Sequence, residues 1–214
     1  LFYVGADPYL EGELCGKKMG ELLDGKGLVA IFTQKKGHES LELRRKGFQM
    51  VLEQYYPQIQ IVDYYEIGVD EELAYQRTKE LIKQYSGLKG VYVNCATGIA
   101  GAAKAVKELN LKGKIILISH DTVEATMEYV QEGIVAGTLY QDPFAQGYDT
   151  VVHLYNMIAA HQSPPQARMI IKNEMITPQN IHQFWEKGKG LIETAGREER
   201  LAKIIPTRLA AVSY

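Results

Sequence analysis

Residues 115–148 read IILISHDTVEATMEYVQEGIVAGTLYQDPFAQGY. Two apolar runs, residues 115–118 and 134–140, flank a helical pattern, and each run ends in polar side chains. The first ends in Ser119-His120-Asp121 and the second in Gln141-Asp142-Pro143. In an open α/β sheet, the carboxyl ends of neighbouring parallel strands form the edge where small ligands bind. The stretch therefore predicts two adjacent parallel strands and a chain that binds small polar molecules.

The rest of the chain shows the same alternation of strand and helix patterns. Strand-like runs separated by helical patterns of 10 to 15 residues predict βαβ units with right-handed crossovers. The fold class is therefore predicted to be α/β, with a parallel sheet and helices on both faces. Short strands are expected within residues 169–176, then a short helix that includes Trp185 and a charged tail from Glu186. The predicted strands are residues 1–4, 28–33, 59–65, 90–94, 114–118 and 134–140, and the predicted helices are residues 11–23, 40–55, 71–85, 98–109, 123–131 and 146–160.

Composition restricts the function classes. The 214 residues are 46% hydrophobic and 23% charged, as in an ordinary soluble globular protein. A net charge of −2 argues against direct contact with nucleic acid phosphates, which needs a basic stripe. No apolar run reaches the ~20 residues of a membrane span. The two cysteines, Cys15 and Cys95, are expected to be buried free thiols rather than a disulfide.

The sequence patterns argue against an enzyme. His120 and Asp121 are adjacent on a strand, where side chains point to opposite faces, so they are poorly placed to act on one atom. The chain has no Gly-x-Ser-x-Gly elbow, and the turn at residues 97–101 lacks the spacing of a nucleotide-binding loop. Gly98 and Gly101 are instead expected to allow tight packing of a helix on the sheet. The remaining histidines show no metal-ligand spacing. We expect no catalytic residues, metal or cofactor.

Five local signatures occur in order along residues 1–175. Together they resemble the type I periplasmic-binding-protein fold, which sugar-binding proteins of transporters share with effector domains of lactose-repressor (LacI/GalR-type) transcription regulators. The resemblance implies two α/β lobes joined by three crossing strands, with a sugar-like ligand between the lobes. The signatures are Val4-Gly5-Ala6-Asp7-Pro8-Tyr9 with Gly12; Arg44-Arg45-Lys46-Gly47-Phe48; Gly90-Val91-Tyr92-Val93-Asn94 followed by Gly101-Ala102-Ala103; Ser119-His120-Asp121; and Gln141-Asp142-Pro143 followed by Gln146-Gly147-Tyr148.

The resemblance also implies how the chain is divided. Residues 1–10 would end an amino-terminal lobe and make the first crossing, and residues 11–139 would form the carboxyl-terminal lobe. Residues 140–176 would contain the return crossings and one helix of the amino-terminal lobe, whose greater part would be missing. Residues 177–214 would be a short helix and a tail or linker. Such a half-cleft would expose apolar surface, so a homodimer is expected.

The resemblance assigns two ligand contacts. Asp121 matches the family's cleft aspartate, which accepts hydrogen bonds from ligand hydroxyls. The alternative is that Asp121 caps the following helix. Gln141 matches a glutamine at the return hinge, whose amide both donates and accepts; the alternative is that it only stabilises the hinge.

Three other matched positions depart from the family pattern. Glu42 stands where an arginine often binds sugar oxygens, Cys95 replaces an asparagine, and Val69 falls near an aromatic that stacks on a sugar ring. If the alignment holds, the ligand differs from a plain pentose or hexose, and Glu42 favours a cationic or hydroxyl-rich partner. Alternatively, Glu42 is a solvated helix residue and the register differs by a turn.

Two functions follow from the resemblance. The leading hypothesis is a cytoplasmic effector domain of a lactose-repressor-type regulator, which His120-Asp121, the free cysteines and the charged tail favour. It would contact DNA only through a missing upstream domain. The alternative is an extracytoplasmic solute-binding protein of a sugar ABC transporter, which Gly25-Lys26-Gly27-Leu28-Val29 favours. A nucleotide-dependent enzyme is a third class, disfavoured by the missing phosphate motifs.

Overall fold

The computed structural model describes residues 1–192. Strands and helices alternate as the sequence predicts, with boundaries shifted by a few residues. The strands are β1 (Tyr3–Gly5), β2 (Lys26–Thr33), β3 (Gln58–Glu66), β4 (Leu88–Val93), β5 (Ile116–His120), β6 (Gly137–Tyr140), β7 (Arg168–Ile170), β8 (Glu174–Ile176), β9 (Trp185–Glu186) and β10 (Gly190–Leu191). The helices are α1 (Pro8–Leu22), α2 (Glu39–Tyr55), α3 (Glu71–Gln84), α4 (Ile99–Glu108), α5 (Glu124–Gln131) and α6 (Pro143–Ala159).

A six-stranded sheet organises the chain, with strand order β3-β2-β4-β5-β6-β8. The first five strands are parallel, and β8 pairs antiparallel with β6. The predicted α/β class with a mainly parallel sheet is confirmed. The order places the carboxyl ends of β4, β5 and β6 side by side.

Each sheet face is covered by helices, and the apolar alternation along the strands shows why. In β2, Val29 and Ile31 pack with Cys15 and Met19 of α1 and with residues of α2. Ala30 and Phe32 point the other way, into the core formed with α3, α4 and α5. Strands buried on both faces are continuous apolar runs, as β2 and β4 are.

Helices α1 and α2 cross at glycines. A Cβ on Gly12 would collide with the backbone oxygen of Arg44, and one on Gly47 would collide with that of Tyr9. The backbones therefore approach more closely than any side chain would permit. Gly101 of α4 does the same against Glu71 of α3. The expected role of Gly101 in helix–sheet packing is therefore wrong, because its close contact is between two helices.

Of the predicted crossing strands, β1 and β7 lie outside the six-stranded sheet, whereas β8 pairs with β6 at its edge. Strands β1 and β7 pair in parallel, and α6 packs on β1. Residues 169–176 supply parts of two strands, as predicted, but β7 and β8 belong to different sheets. Helix α6 buries only Ala145, and the side chains of Val151 and Ile158 are 66% and 70% exposed.

The segment after β8 differs from its prediction. A three-residue 3-10 turn at Ile181–Gln183 replaces the predicted helix, and Trp185 lies in β9, which pairs with β10 as a short hairpin. The Gly188-Lys189 dipeptide, taken as part of an irregular tail, forms the turn of this hairpin. The two strands of this hairpin have two residues each, which is too short to produce an alternating apolar pattern in the sequence. The remainder of the predicted tail, residues 193–214, lies outside the described residues.

We predict that Gly12→Ala lowers the free energy of unfolding by about 1–3 kcal/mol, because the new methyl group forces α1 and α2 apart. Gly147→Ala is the matched control: no atom of residues 1–192 lies within 4 Å of a Cβ added to this exposed glycine of α6. It should be neutral or stabilising by about 0.5–1 kcal/mol. Urea unfolding of both variants measures the difference. Equal effects would contradict the close helix crossing.

Candidate ligand-binding site

Asp121 and Gln141 lie together at the carboxyl edge of the sheet. Residues His120 and Leu139 are register partners of β5 and β6, so the next residues of both strands leave the sheet side by side. The Gln141 amide Nε2 donates a hydrogen bond to Asp121 Oδ1 at 2.5 Å. Both side chains are half-buried. The two residues therefore meet as the sequence predicts, while their contact with a ligand stays a prediction.

The helix-capping interpretation of Asp121 is wrong. The N-cap residue of α5 is Val123, whose apolar side chain makes no capping hydrogen bond. Asp121 instead has a left-handed backbone with φ of 69°, and its carboxylate is held by Gln141. The carboxylate thus remains at the sheet edge rather than at the helix end.

A buried ion pair lies close to Asp121. The Arg44 Nε donates to Glu11 Oε2 at 2.7 Å, and its Nη1 donates to the backbone oxygen of Asn94 at 3.0 Å. The other Glu11 oxygen accepts from Asn173 Nδ2 at 3.0 Å. These contacts join α1, α2, the end of β4 and the segment between β7 and β8.

Electrostatic interactions link this ion pair to Asp121 at the carboxyl edge of the sheet. Burial raises the pKa of Asp121, and the nearby charge of Arg44 opposes that rise. Burial likewise raises the pKa of Glu11, while Arg44 opposes the rise and the charge of Asp121 adds to it. The charge of Arg44 therefore acts on both carboxylates. A ligand hydroxyl that donates to Asp121 would add stabilisation to this carboxylate.

Glu11 is not among the site residues predicted from the sequence. A signal was present, since Glu11 shares one face of α1 with Cys15 and Met19 at four-residue spacing, and all three are fully buried. A charged residue on a buried stripe needs a buried partner. Arg44 is that partner, since its guanidinium pairs with the Glu11 carboxylate.

Cys95 and Val69 follow β4 and β3 at the same edge of the sheet. Cys95 is buried, and its thiol donates to the Thr97 backbone oxygen at 3.4 Å. Val69 is 68% exposed in the loop after β3, an edge strand three positions from β5. Three inter-strand spacings correspond to about 14 Å.

Glu42 is held by protein groups on the β3 side of α2. Its carboxylate accepts from the Tyr64 hydroxyl at 2.7 Å, from the Gly37 N–H at 3.0 Å and from Arg45 Nε at 2.9 Å. Partial burial favours the neutral acid, but these three donors outweigh it and lower the pKa of Glu42 to about 2. Glu42 is a partly exposed helix residue, as the alternative interpretation holds, but its carboxylate is also bound by these three protein donors.

His120 faces the interior, away from Asp121. Its Nε2 lies 2.7 Å from the Tyr92 hydroxyl and 3.7 Å from Cys15 Sγ, beneath α1. Burial, together with the charge of Arg44, lowers the pKa of His120 well below its usual value. The residue is therefore a neutral core histidine. Cys15 is a buried free thiol, as is Cys95.

Residues 1–192 contain neither a candidate membrane span nor a candidate metal site. Among these residues, no helix is long and apolar enough to cross a membrane. Within the same range, no three or more His, Cys, Asp or Glu side chains cluster in a way that could hold a metal ion.

Known proteins resemble this chain over most of its length. It is 24% identical over 189 residues to the xylose/arabinose-binding protein XylF of Sulfolobus acidocaldarius, a match that covers 86% of this chain and 46% of XylF. The chain thus spans about half the length of that curated relative.

Solved structures show the same similarity. A sugar-binding protein of a sugar ABC transporter from Bacillus halodurans matches with a TM-score of 0.79 and 27% identity over 84% of this chain and 65% of that one. AraP, an arabinose binding protein from Geobacillus stearothermophilus, matches with a TM-score of 0.79 and 28% identity over 86% of this chain and 66% of AraP. The predicted type I periplasmic-binding-protein fold is confirmed by these structures.

The family model described as the periplasmic binding protein domain matches residues 1–162. This match includes β1 through α6, and thus both Asp121 and Gln141. The chain belongs to the periplasmic binding protein domain family.

Proposed function

We propose that this chain binds a monosaccharide or a closely related polyhydroxy compound, as part of an extracytoplasmic solute-binding protein of a sugar ABC transporter. The observation that carries the proposal is the carboxylate–amide pair of Asp121 and Gln141 at the ends of adjoining strands. A carboxylate accepts hydrogen bonds and an amide both donates and accepts, which suits neighbouring ligand hydroxyls.

The surroundings of the pair support binding without chemistry on the ligand. Glu11 and Arg44 are engaged with each other and with Asn94 and Asn173. His120, the nearest histidine in sequence, is enclosed in the core. The proposed site therefore offers fixed hydrogen-bonding groups, which is what selective binding of a polar ligand needs.

The relatives favour a solute-binding protein of a transporter over the leading hypothesis from the sequence, which is an effector domain of a transcription regulator. XylF is named for xylose and arabinose, AraP for arabinose, and the Bacillus halodurans protein for a sugar ABC transporter. None of these three is a transcription regulator. The predicted DNA contact, homodimer and cytoplasmic location gain no support from them, so we propose the extracytoplasmic location instead.

We propose the same division into lobes that the resemblance implies. Residues 11–139 would form one lobe, with residues 1–10 and 140–176 as crossings and one helix of a second lobe. The exposed apolar side chains of α6, among them Val151 and Ile158, would then belong to that second lobe. Contact of Cys95, Glu42 or Val69 with the ligand stays a prediction, and for Glu42 the bonds to Tyr64, Gly37 and Arg45 favour a structural role instead.

We predict that D-xylose, L-arabinose, D-glucose, D-galactose or D-glucosamine raises the melting temperature of the intact protein. A ligand at 100 times its Kd stabilises the folded state by about 2.7 kcal/mol, which corresponds to a rise of several degrees. ATP and NAD serve as comparison ligands in the same thermal-shift assay. A response to nucleotides alone would contradict the proposal.

We predict that Asp121→Asn weakens binding of the responding sugar by about 1–3 kcal/mol, because the charged acceptor of the sugar hydroxyls becomes a neutral amide oxygen. Asp24→Asn is the matched control: Asp24 also has a positive φ, of 49°, but is exposed in the turn before β2, at the opposite edge of the sheet. Isothermal titration calorimetry measures both variants. Equal affinities for the two would remove Asp121 from the site.

We predict that Glu42→Gln lowers stability more than affinity. The folded-state pKa of Glu42, about 2, lies below the ordinary 4.5, so its carboxylate stabilises the fold above pH 4.5 and loses this effect as pH falls toward 2. After allowance for solvent screening, we expect about 1–2 kcal/mol at neutral pH. Urea unfolding between pH 2 and 7 measures it.

Glu39→Gln is the control for this change, because Glu39 is an exposed carboxylate in the same first turn of α2. Both substitutions remove a charge near the helix end, so their difference reports the contacts with Tyr64, Gly37 and Arg45. Unchanged stability with reduced sugar affinity would instead assign Glu42 to the ligand.

A further inference from the structure

The backbone of Asp121 is unusual for a residue with a side chain. Its φ of 69° lies in the left-handed region, which is uncommon for residues other than glycine. Aspartate tolerates this region better than most residues. The direction of the Asp121 carboxylate at the carboxyl edge of the sheet depends on this backbone conformation. The contacts that maintain the conformation therefore decide whether Asp121 can bind Gln141.

Both backbone polar groups of Asp121 are held by β6. Its N–H donates to the Leu139 backbone oxygen at 2.9 Å, which extends the β5–β6 pairing by one residue. Its carbonyl oxygen accepts from the Thr138 hydroxyl at 2.6 Å. Because the chain turns away at this point, the carbonyl receives its bond from a side chain instead of the strand ladder.

Ser119 supports the hydroxyl of Thr138. The two residues are register partners, both are fully buried, and Ser119 Oγ donates to Thr138 Oγ1 at 3.2 Å. Successive side chains of a strand alternate, so this pair faces the side of the sheet opposite to His120. Buried hydroxyls without hydrogen-bond partners destabilise a fold. Here the Ser119 hydroxyl donates to the Thr138 hydroxyl, which in turn donates to the Asp121 backbone oxygen.

We propose that Thr138, supported by Ser119, is a positioning residue for ligand binding. Its hydroxyl fixes the left-handed backbone of Asp121 and thereby sets the carboxylate against the Gln141 amide. Thr138 itself is fully buried below the carboxyl edge of the sheet and does not contact the ligand. The expected effect of Thr138 on sugar affinity rests on the proposed function. Its expected effect on the contact between Asp121 and Gln141 involves residues of this chain alone.

Thr138→Val tests the inference, because valine keeps the branched shape and removes the hydroxyl. Thr138→Ser retains the hydroxyl and should rescue the effect. Thr78→Val is the matched control: Thr78 is also fully buried, and its hydroxyl donates to the Ala74 backbone oxygen at 2.7 Å within α3. It removes the same kind of bond away from the site.

The first measurement needs no ligand. The NMR signals of the Gln141 side-chain amide report its hydrogen bond to Asp121, and Asp121→Ala gives their position without that acceptor. We expect Thr138→Val to move them toward the Asp121→Ala position, with Thr138→Ser and Thr78→Val unchanged. If Thr138→Val does not fold, Thr138→Ala removes the same hydroxyl and takes its place in the comparison.

The second measurement is the affinity for D-xylose and L-arabinose by calorimetry. We expect Thr138→Val to bind at least about fivefold more weakly, and Thr138→Ser and Thr78→Val to stay within about twofold of the unaltered protein. Unmoved Gln141 signals in Thr138→Val would overturn the positioning role, even if sugars bind. Moved signals in a protein that binds neither sugar would support the positioning and contradict the proposed function.

Discussion

The parallel pairing of β5 with β6 is the constraint on which the candidate site depends. Parallel neighbours end at the same edge, so a polar residue after each strand must emerge beside the other. The pairing runs to His120 and Leu139, and the next backbone bond, from Asp121 to Leu139, continues it. A shift of register by one residue would turn every side chain to the opposite face and separate Asp121 from Gln141.

The ion pair of Glu11 and Arg44 connects this edge to the rest of the molecule. Glu11 of α1 and Arg44 of α2 can come into contact because the two helices approach closely at Gly12 and Gly47. Charged groups removed from water are tolerated when their remaining hydrogen-bonding capacity is filled, and here Asn94 and Asn173 fill part of it. Helix packing, the end of β4 and the crossing segment before β8 are thereby joined at one place, close to Asp121.

Strand and helix order could be predicted from the sequence because the apolar runs are long and the helical stripes regular. The meeting of Asp121 and Gln141 followed from the same logic, since it needs only adjacent parallel strands. Side-chain partners over long sequence separations could not be predicted in this way. Glu42 binds Tyr64, and Glu11 binds Asn173, through folding of distant segments onto one another. The hairpin of Trp185 was missed because two-residue strands leave no periodic signal.

A crystal structure of the intact protein with L-arabinose or D-xylose tests the central claim most directly. The account predicts sugar hydroxyls within hydrogen-bond distance of the Asp121 carboxylate and the Gln141 amide. It also predicts that Asp121 keeps its positive φ in the complex. A sugar bound elsewhere, with Asp121 and Gln141 in contact only with protein, would contradict the account.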